Sequence, residues 1–241
     1  MKMKVNKKDI AFITIIILLL ITSLTLGILL ASYPKVKKNI SVMEQYYNEH
    51  VEAYRVENAN LSKGQIVFIG DSITDLYHLD DYYADIDKAA YNRGIGGDTT
   101  SGVIKRMKVS LYDIAPSEIV LMIGINDING GKSSEYILNN YKFILDDIKT
   151  NLPSSKVFTM SILPMDKRLD GTVNVKENNE KVVDINSKIK DLAVEHSYTY
   201  LDLYSLMKDE NDYLISSYSD DGLHPNAAGY QVWTNLLKPL L

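Results

Sequence analysis

Strand-like and helix-like segments alternate from Gln65 to the C-terminus, which predicts an α/β fold. The expected architecture is a three-layer α/β/α sandwich with a five-stranded parallel sheet, preceded by one N-terminal transmembrane helix. Three observations carry this. The run Ile66-Val67-Phe68-Ile69, closed by Gly70, suits a central parallel strand covered on both faces. Similar short apolar runs recur downstream with helical periodicity between them. Ile10 to Ala31 is almost wholly apolar and carries no charge.

That first apolar segment is long enough to span a bilayer. About 20 residues at roughly 1.5 Å each cross the hydrocarbon core, whereas the apolar core of a signal peptide runs to ~7–15 residues. Leu29 and Leu30 stand where a small-x-small cleavage pattern needs small residues, so an uncleaved signal anchor is expected, with cleavage as the alternative. Lys2, Lys4, Lys7 and Lys8 on one side and Lys35, Lys37 and Lys38 on the other leave a small positive-inside bias, placing the N-terminus inside. The expected divisions are a cytoplasmic tail over 1–9, the anchor over 10–31, a linker and spacer helix over 32–64, and the main domain over 65–241. Within the linker, Val36 to about Asn60 reads as a helix packed partly on the domain.

In the main domain, strands are expected at Ile66–Ile69, Ala89–Asn92, Ile119–Ile123, Val157–Ser161 and Thr199–Leu203. Helices are expected at Thr100–Leu111, Ser134–Asn151, Val175–His196 and Asn226–Leu240. Ile137, Leu138, Tyr141, Ile144, Leu145 and Ile148 repeat at a helical period that buries one face. Pro116, Pro153 and Pro225 stand at element boundaries, where a missing amide is tolerated.

Composition narrows the function. A chain of 241 residues, 46% hydrophobic, can bury a full core. A net charge of -5 and scattered lysines and arginines give no electrostatic case for nucleic acid. The absence of cysteine excludes disulfides, a thiol nucleophile and a cysteine zinc site.

Four stretches carry chemistry. Gly70-Asp71-Ser72 ends the first strand, where open parallel sheets collect their functional groups; the plainer reading is a helix start with a capping residue. Asn92-Arg93-Gly94-Ile95-Gly96-Gly97-Asp98-Thr99-Thr100 follows a strand but lacks the third glycine of a dinucleotide fingerprint and the Gly-Lys-Ser/Thr of a P-loop. Its glycines let backbone amides approach a ligand, and such an amide can stabilise an oxyanion. Gly124-Ile125-Asn126-Asp127 releases another strand into a polar tip, where Asn126 is either a turn former or a side-chain donor. In Asp221-Gly222-Leu223-His224-Pro225 a tight turn can bring carboxylate to imidazole. An imidazole oriented in this way accepts a serine proton near neutral pH. The alternative is a surface turn with a helix cap. A metal site has no supporting His-Glu-x-x-His cluster, and His50, His78 and His196 read as surface or packing residues.

In this order the four stretches resemble the signature blocks of the SGNH, or GDSL-type, esterase and acylhydrolase superfamily over about Gln65 to Leu241. They are most similar to its platelet-activating-factor acetylhydrolase-like subgroup. The resemblance implies a flavodoxin-like SGNH hydrolase fold with Ser72 as nucleophile, His224 as base and Asp221 orienting His224. It further implies an oxyanion hole formed by the amides of Ser72 and Gly97 and the side chain of Asn126, with Asp71 supporting the turn. No metal or organic cofactor is implied. The Gly-x-Ser-x-Gly elbow of the α/β-hydrolases is missing. The expected function is a membrane-anchored, extracytoplasmic serine esterase acting on short acyl groups, acetyl above all, on cell-envelope or other carbohydrates. A lysophospholipase or short-chain lipid esterase is the alternative, and a noncatalytic binding protein on the same fold is the alternative of another class. Met165–Val173 is polar and expected either to border the site or to be a solvated loop.

Overall fold

The structure is a computed structural model that describes residues 41–241. The expected transmembrane segment over 10–31 lies outside the described residues; among those described, no helix is long and apolar enough to cross a membrane.

Five parallel strands form one sheet in the order β2-β1-β3-β4-β5. They are β1 (Ile66–Gly70), β2 (Ala90–Gly94), β3 (Glu118–Met122), β4 (Lys156–Met160) and β5 (Thr199–Leu201). β1 and β3 are buried along their whole length, which is why Ile66–Ile69 and, after the buried Glu118, Ile119–Met122 read as apolar runs. The order reverses between β1 and β3, the switch point where a crevice opens at the carboxyl edge.

Nine α-helices accompany the sheet among the described residues. The long ones are α1 (Val42–Glu57), α4 (Thr100–Met107), α6 (Ser134–Asn151), α7 (Val175–His196) and α9 (Ala227–Leu237). Four one-turn pieces are α2 (Ser72–Asp75), α3 (Asp80–Tyr83), α5 (Ile125–Asn129) and α8 (Tyr204–Met207). The helix α6 buries Ile137, Tyr141, Ile144, Leu145 and Ile148, the stripe its periodicity announces, and packs against α4 and α7. Opposite, Phe68 of β1 meets Tyr77, Tyr83 and the α9 residue Trp233, their ring centroids 5.2–6.3 Å from its own.

Several expected boundaries shift for physical reasons. β2 runs on through Asn92-Arg93-Gly94 because those residues pair with Phe68, Ile69 and Gly70 of β1. β3 and β4 each begin and end one residue earlier than expected, and β5 stops at Leu201, where Leu203 turns its amide back to the Leu201 carbonyl. The helix expected over Thr100–Leu111 is α-helical only to Met107 and continues as a π-helical turn, Lys108–Tyr112. The wider turn buries the consecutive residues Val109, Ser110 and Leu111, which one face of an α-helix does not do. Of the spacer helix expected over 36–60, α1 forms Val42–Glu57. It belongs to the compact unit Val42–Leu241.

One side chain ties the strand ends together. Arg106 of α4 is buried, and its guanidinium donates to Asp98 Oδ2 (2.8 Å), the Arg93 carbonyl (2.7 Å), Ser110 Oγ (3.0 Å) and the Gly70 carbonyl (2.9 Å). Removing it strands a buried carboxylate and two strand-end carbonyls. Arg106→Met is expected to cost about 3–5 kcal/mol, the usual loss when one member of a buried ion pair is deleted. Urea denaturation checks this, and a loss under about 1 kcal/mol would show that solvent reaches Asp98 in place of Arg106.

Candidate active site

Ser72 opens α2 directly beyond β1. Asp71 caps that helix, its carboxylate accepting from the Ile73 amide (3.0 Å). Gly70 is required by close approach: a Cβ there would lie 2.3 Å from the Met122 carbonyl oxygen. Asn92 holds the turn from the β2 side. Its amide nitrogen lies 2.7 Å from the Thr74 carbonyl and 3.0 Å from that of Tyr77, and its oxygen accepts from the Gly94 amide (2.8 Å). From α9, the Tyr230 hydroxyl donates to the Ile73 carbonyl (2.8 Å).

His224 arrives from the loop before α9. Its Nε2 lies 2.8 Å from Ser72 Oγ and its Nδ1 2.6 Å from Asp221 Oδ2. Asp221 Oδ1 accepts from the amides of Leu223 and His224, each at 2.8 Å. Partial burial pushes the Asp221 carboxyl up, but the bonds from the His224 side chain and the two amides outweigh it and hold the group well below the usual carboxylate range. An ionised carboxylate only accepts, so Nδ1 carries the proton and Nε2 offers its lone pair to the Ser72 hydroxyl. Ser72, Asp221 and His224 are thus brought together in one hydrogen-bonded chain.

Gly97 and Asn126 meet through Asp98: the Asn126 side-chain amide donates one hydrogen to the Asp98 carbonyl (2.9 Å), leaving the second free. Gly97 sits at φ +75°, a left-handed conformation that glycine adopts without strain. Among the described residues, the Ser72 and Gly97 amides find no backbone acceptor. Beside Asn126, Asp127 accepts from the amide (2.8 Å) and hydroxyl (2.9 Å) of Thr100, fixing the start of α4 against the tip of β3.

Several supporting residues carry weak sequence signals. Arg106 is one of two adjacent cations, with Lys105, between the apolar Ile104 and Met107, and its partner Asp98 hides inside a glycine motif. The polar segment Met165–Val173 does border the site. There Arg168 donates to buried Asp166 (2.9 Å), to the Ser219 carbonyl (2.8 Å) and to the Asp220 carbonyl (3.1 Å), while the Asp166 amide donates to the Gly222 carbonyl (2.9 Å). This clamp shapes the loop that carries Asp221 and His224. A cleft of about 800 Å³ between α1 and β2, lined by His50, Tyr54, Asp75 and Arg93, contains neither Ser72 nor His224.

A hydroxyl, an imidazole and a carboxylate linked in this way, at the carboxyl edge of a parallel sheet, form the arrangement that serine hydrolases use. Residues 68–232 match the GDSL-like lipase/acylhydrolase family, and the chain belongs to that family. It is 26% identical to platelet-activating factor acetylhydrolase IB subunit alpha2 of Homo sapiens over 155 residues, 63% of this chain and 65% of that protein, and so spans less than two thirds of that relative. A Streptococcus pneumonia structure provisionally described as a platelet activating factor superposes with a TM-score of 0.76 at 29% identity, covering 82% of this chain and 94% of that one. An acetylxylan esterase from Geobacillus stearothermophilus shares the fold, with a TM-score of 0.59 at 17% identity over 74% of this chain and 94% of that one.

Asp71 carries a pH signature. Its complete burial, only partly offset by the Ile73 amide and reinforced by Asp98 and Asp127, raises its pKa from the ordinary 3.8 to about 7. Between those values the folded protein holds a proton that the unfolded chain has released. The stability Asp71 contributes is therefore full below pH 3.8 and lost as pH rises through about 7. Asp71→Asn keeps a capping oxygen and has no proton to exchange. It is expected to flatten the fall of stability across that window, as measured by urea midpoints at a series of pH values. An unchanged slope would show that Asp71 is ionised throughout.

Proposed function

We propose that this protein is an esterase in which Ser72 is the nucleophile, His224 the general base and acid, and Asp221 the group that orients His224. The observation that carries the reading is the unbroken chain from Ser72 Oγ to His224 Nε2 (2.8 Å) and from Nδ1 to Asp221 (2.6 Å). Ser72 Oγ attacks the ester carbonyl carbon as its proton passes to Nε2. The tetrahedral oxyanion takes hydrogen bonds from the amides of Ser72 and Gly97 and the free hydrogen of Asn126. Collapse expels the alcohol, which takes the proton from His224. A water molecule then repeats the sequence on the acyl-serine, releasing the acid and restoring Ser72.

A short acyl group, acetyl above all, on a carbohydrate is the proposed substrate class. The polar Met165–Val173 segment beside the histidine loop supports a hydrophilic substrate. The names of the acetylhydrolase relative and of the acetylxylan esterase that shares the fold both refer to acetyl groups. The acetylhydrolase relative also supports a second reading, a short-chain lipid ester. Assay of the full chain and of Ser72→Ala on acetylated sugars and on acyl esters of increasing length separates these. Activity on acetyl-sugars that falls by at least about 1,000-fold in Ser72→Ala is expected. Rates rising with acyl length would favour the lipid reading, and activity retained without the Ser72 hydroxyl would sink the mechanism.

The uncharged apolar stretch Ile10–Ala31 supports a single-pass anchor that holds the domain outside the cytoplasm. The expressed chain is expected to remain in the membrane fraction after alkaline carbonate washing, and to be cut by added protease on intact cells. Release by carbonate would overturn the anchor.

A further inference from the structure

The helix α1 precedes the segment matched by the family, residues 68–232, yet it is bonded to the loop that the esterase mechanism uses. Three of its tyrosines reach that region. The Tyr54 hydroxyl donates to the Gly94 carbonyl, and that of Tyr47 to the Gly102 carbonyl (2.8 Å). The Tyr46 hydroxyl donates to Asp75 Oδ2 (3.1 Å), and the same oxygen accepts from the Gly96 amide (3.2 Å).

Asp75 therefore stands between two parts of the site. It closes the single turn that Ser72 opens, and its carboxylate receives the amide immediately before Gly97. We infer that Tyr46 is a positioning residue for the oxyanion hole: by sharing Asp75 Oδ2 with the Gly96 amide, it fixes the Gly96–Gly97 turn relative to Ser72. This inference rests on the esterase reading given above.

The physical argument is one of tolerance. An oxyanion donor acts at about 2.7–3.1 Å from the developing charge, so a displacement of a few tenths of an ångström weakens it. With Tyr46 present, the Asp75 carboxylate is directed by two donors that approach from different elements. Without that hydroxyl the carboxylate keeps only Gly96 in this direction, gains water, and leaves the turn to wander. Burial and the nearby Asp75 charge both raise the pKa of the Tyr46 hydroxyl, so it remains a donor across the neutral range. Tyr47 supplies the internal comparison. It lies on the same helix, but its bond goes to Gly102 within α4 and not to the Gly96–Gly97 turn.

The test measures kcat, KM and thermal midpoint on para-nitrophenyl acetate for the full chain, Tyr46→Phe, Tyr47→Phe and Ser72→Ala. Tyr46→Phe is expected to lower kcat about tenfold with KM within about twofold, a fraction of the 100- to 1,000-fold lost when an oxyanion donor is deleted. Tyr47→Phe is expected to keep the kcat of the unmodified chain whatever it does to the thermal midpoint. A merely structural α1 moves both midpoints and neither kcat, and that result overturns the inference. Should Tyr46→Phe fail to fold, Asp75→Asn reads the same link without altering α1; its neutral amide oxygen is a weaker shared acceptor, and an undiminished kcat there overturns the inference as well. Activity persisting in Ser72→Ala is a different failure: it removes the esterase reading and the inference with it, whereas a dead Ser72→Ala beside an unimpaired Tyr46→Phe removes the inference alone.

Discussion

The Arg106 to Asp98 ion pair is the interaction on which the site depends. A fully buried guanidinium and carboxylate are costly to desolvate, and the cost is met only because every face of the fork is used. The acceptors are what matter: the last carbonyl of β1, a carbonyl near the end of β2, and the side chain that follows Gly97. Parallel strands bond to each other through the sheet, but their carboxyl ends are where backbone groups run out of partners. Arg106 collects those ends at one point, so the turn bearing Ser72 and the turn bearing Gly97 are referred to the same buried atom group.

Around it the carboxylates take opposite protonation biases, and each follows from its surroundings. Asp98 is buried, and its pKa is raised despite Arg106; Asp127 is raised despite two bonds from Thr100. Asp71 is raised as well, by burial and two acidic neighbours, with a single amide donor and the more distant Arg106 set against them. Asp221 is the exception: half-exposed and bonded by an imidazole and two amides, it is held firmly ionised. A carboxylate that orients a histidine has to remain charged while the imidazole gains and loses a proton. The one acid in contact with His224 is the one whose environment secures that.

Much of this was legible in the sequence. The strands showed because β1 and β3 are buried on both faces, and Ser72, Asn126 and His224 because each follows a conspicuous small-residue or turn motif. The short helices α2, α3, α5 and α8 were not legible, since a single turn is too brief to display a period. The role of α1 was hidden for another reason. Its stripe is built from tyrosines that bury their rings against the loop and use their hydroxyls on Gly94, Gly102 and Asp75, so it scores as a mixed surface helix and reads as a spacer. Asp98 and Arg106 were hidden because buried charge has no periodic signature and is identified only through its partner.

The two halves of the site are suspended differently. The side that carries the proposed nucleophile and oxyanion donors hangs from buried groups, Arg106, Asp98, Asp127 and Thr100, whose bonds water does not contest. On the histidine side the groups bonded to the loop are more open to water, Asp221 with 55% of its side chain exposed, His224 26% and Arg168 42%, although Asp166 beneath Arg168 is buried. In a high-dielectric setting such bonds hold less tightly, so the histidine loop is the more yielding partner. That asymmetry suits the two-step acyl transfer proposed for the site. The oxyanion donors must occupy the same place in both steps, whereas the imidazole must swing its proton from Ser72 to a leaving alcohol and later from water back to Ser72. A rigid cradle opposite a compliant base is the division of labour that this sequence of proton transfers requires.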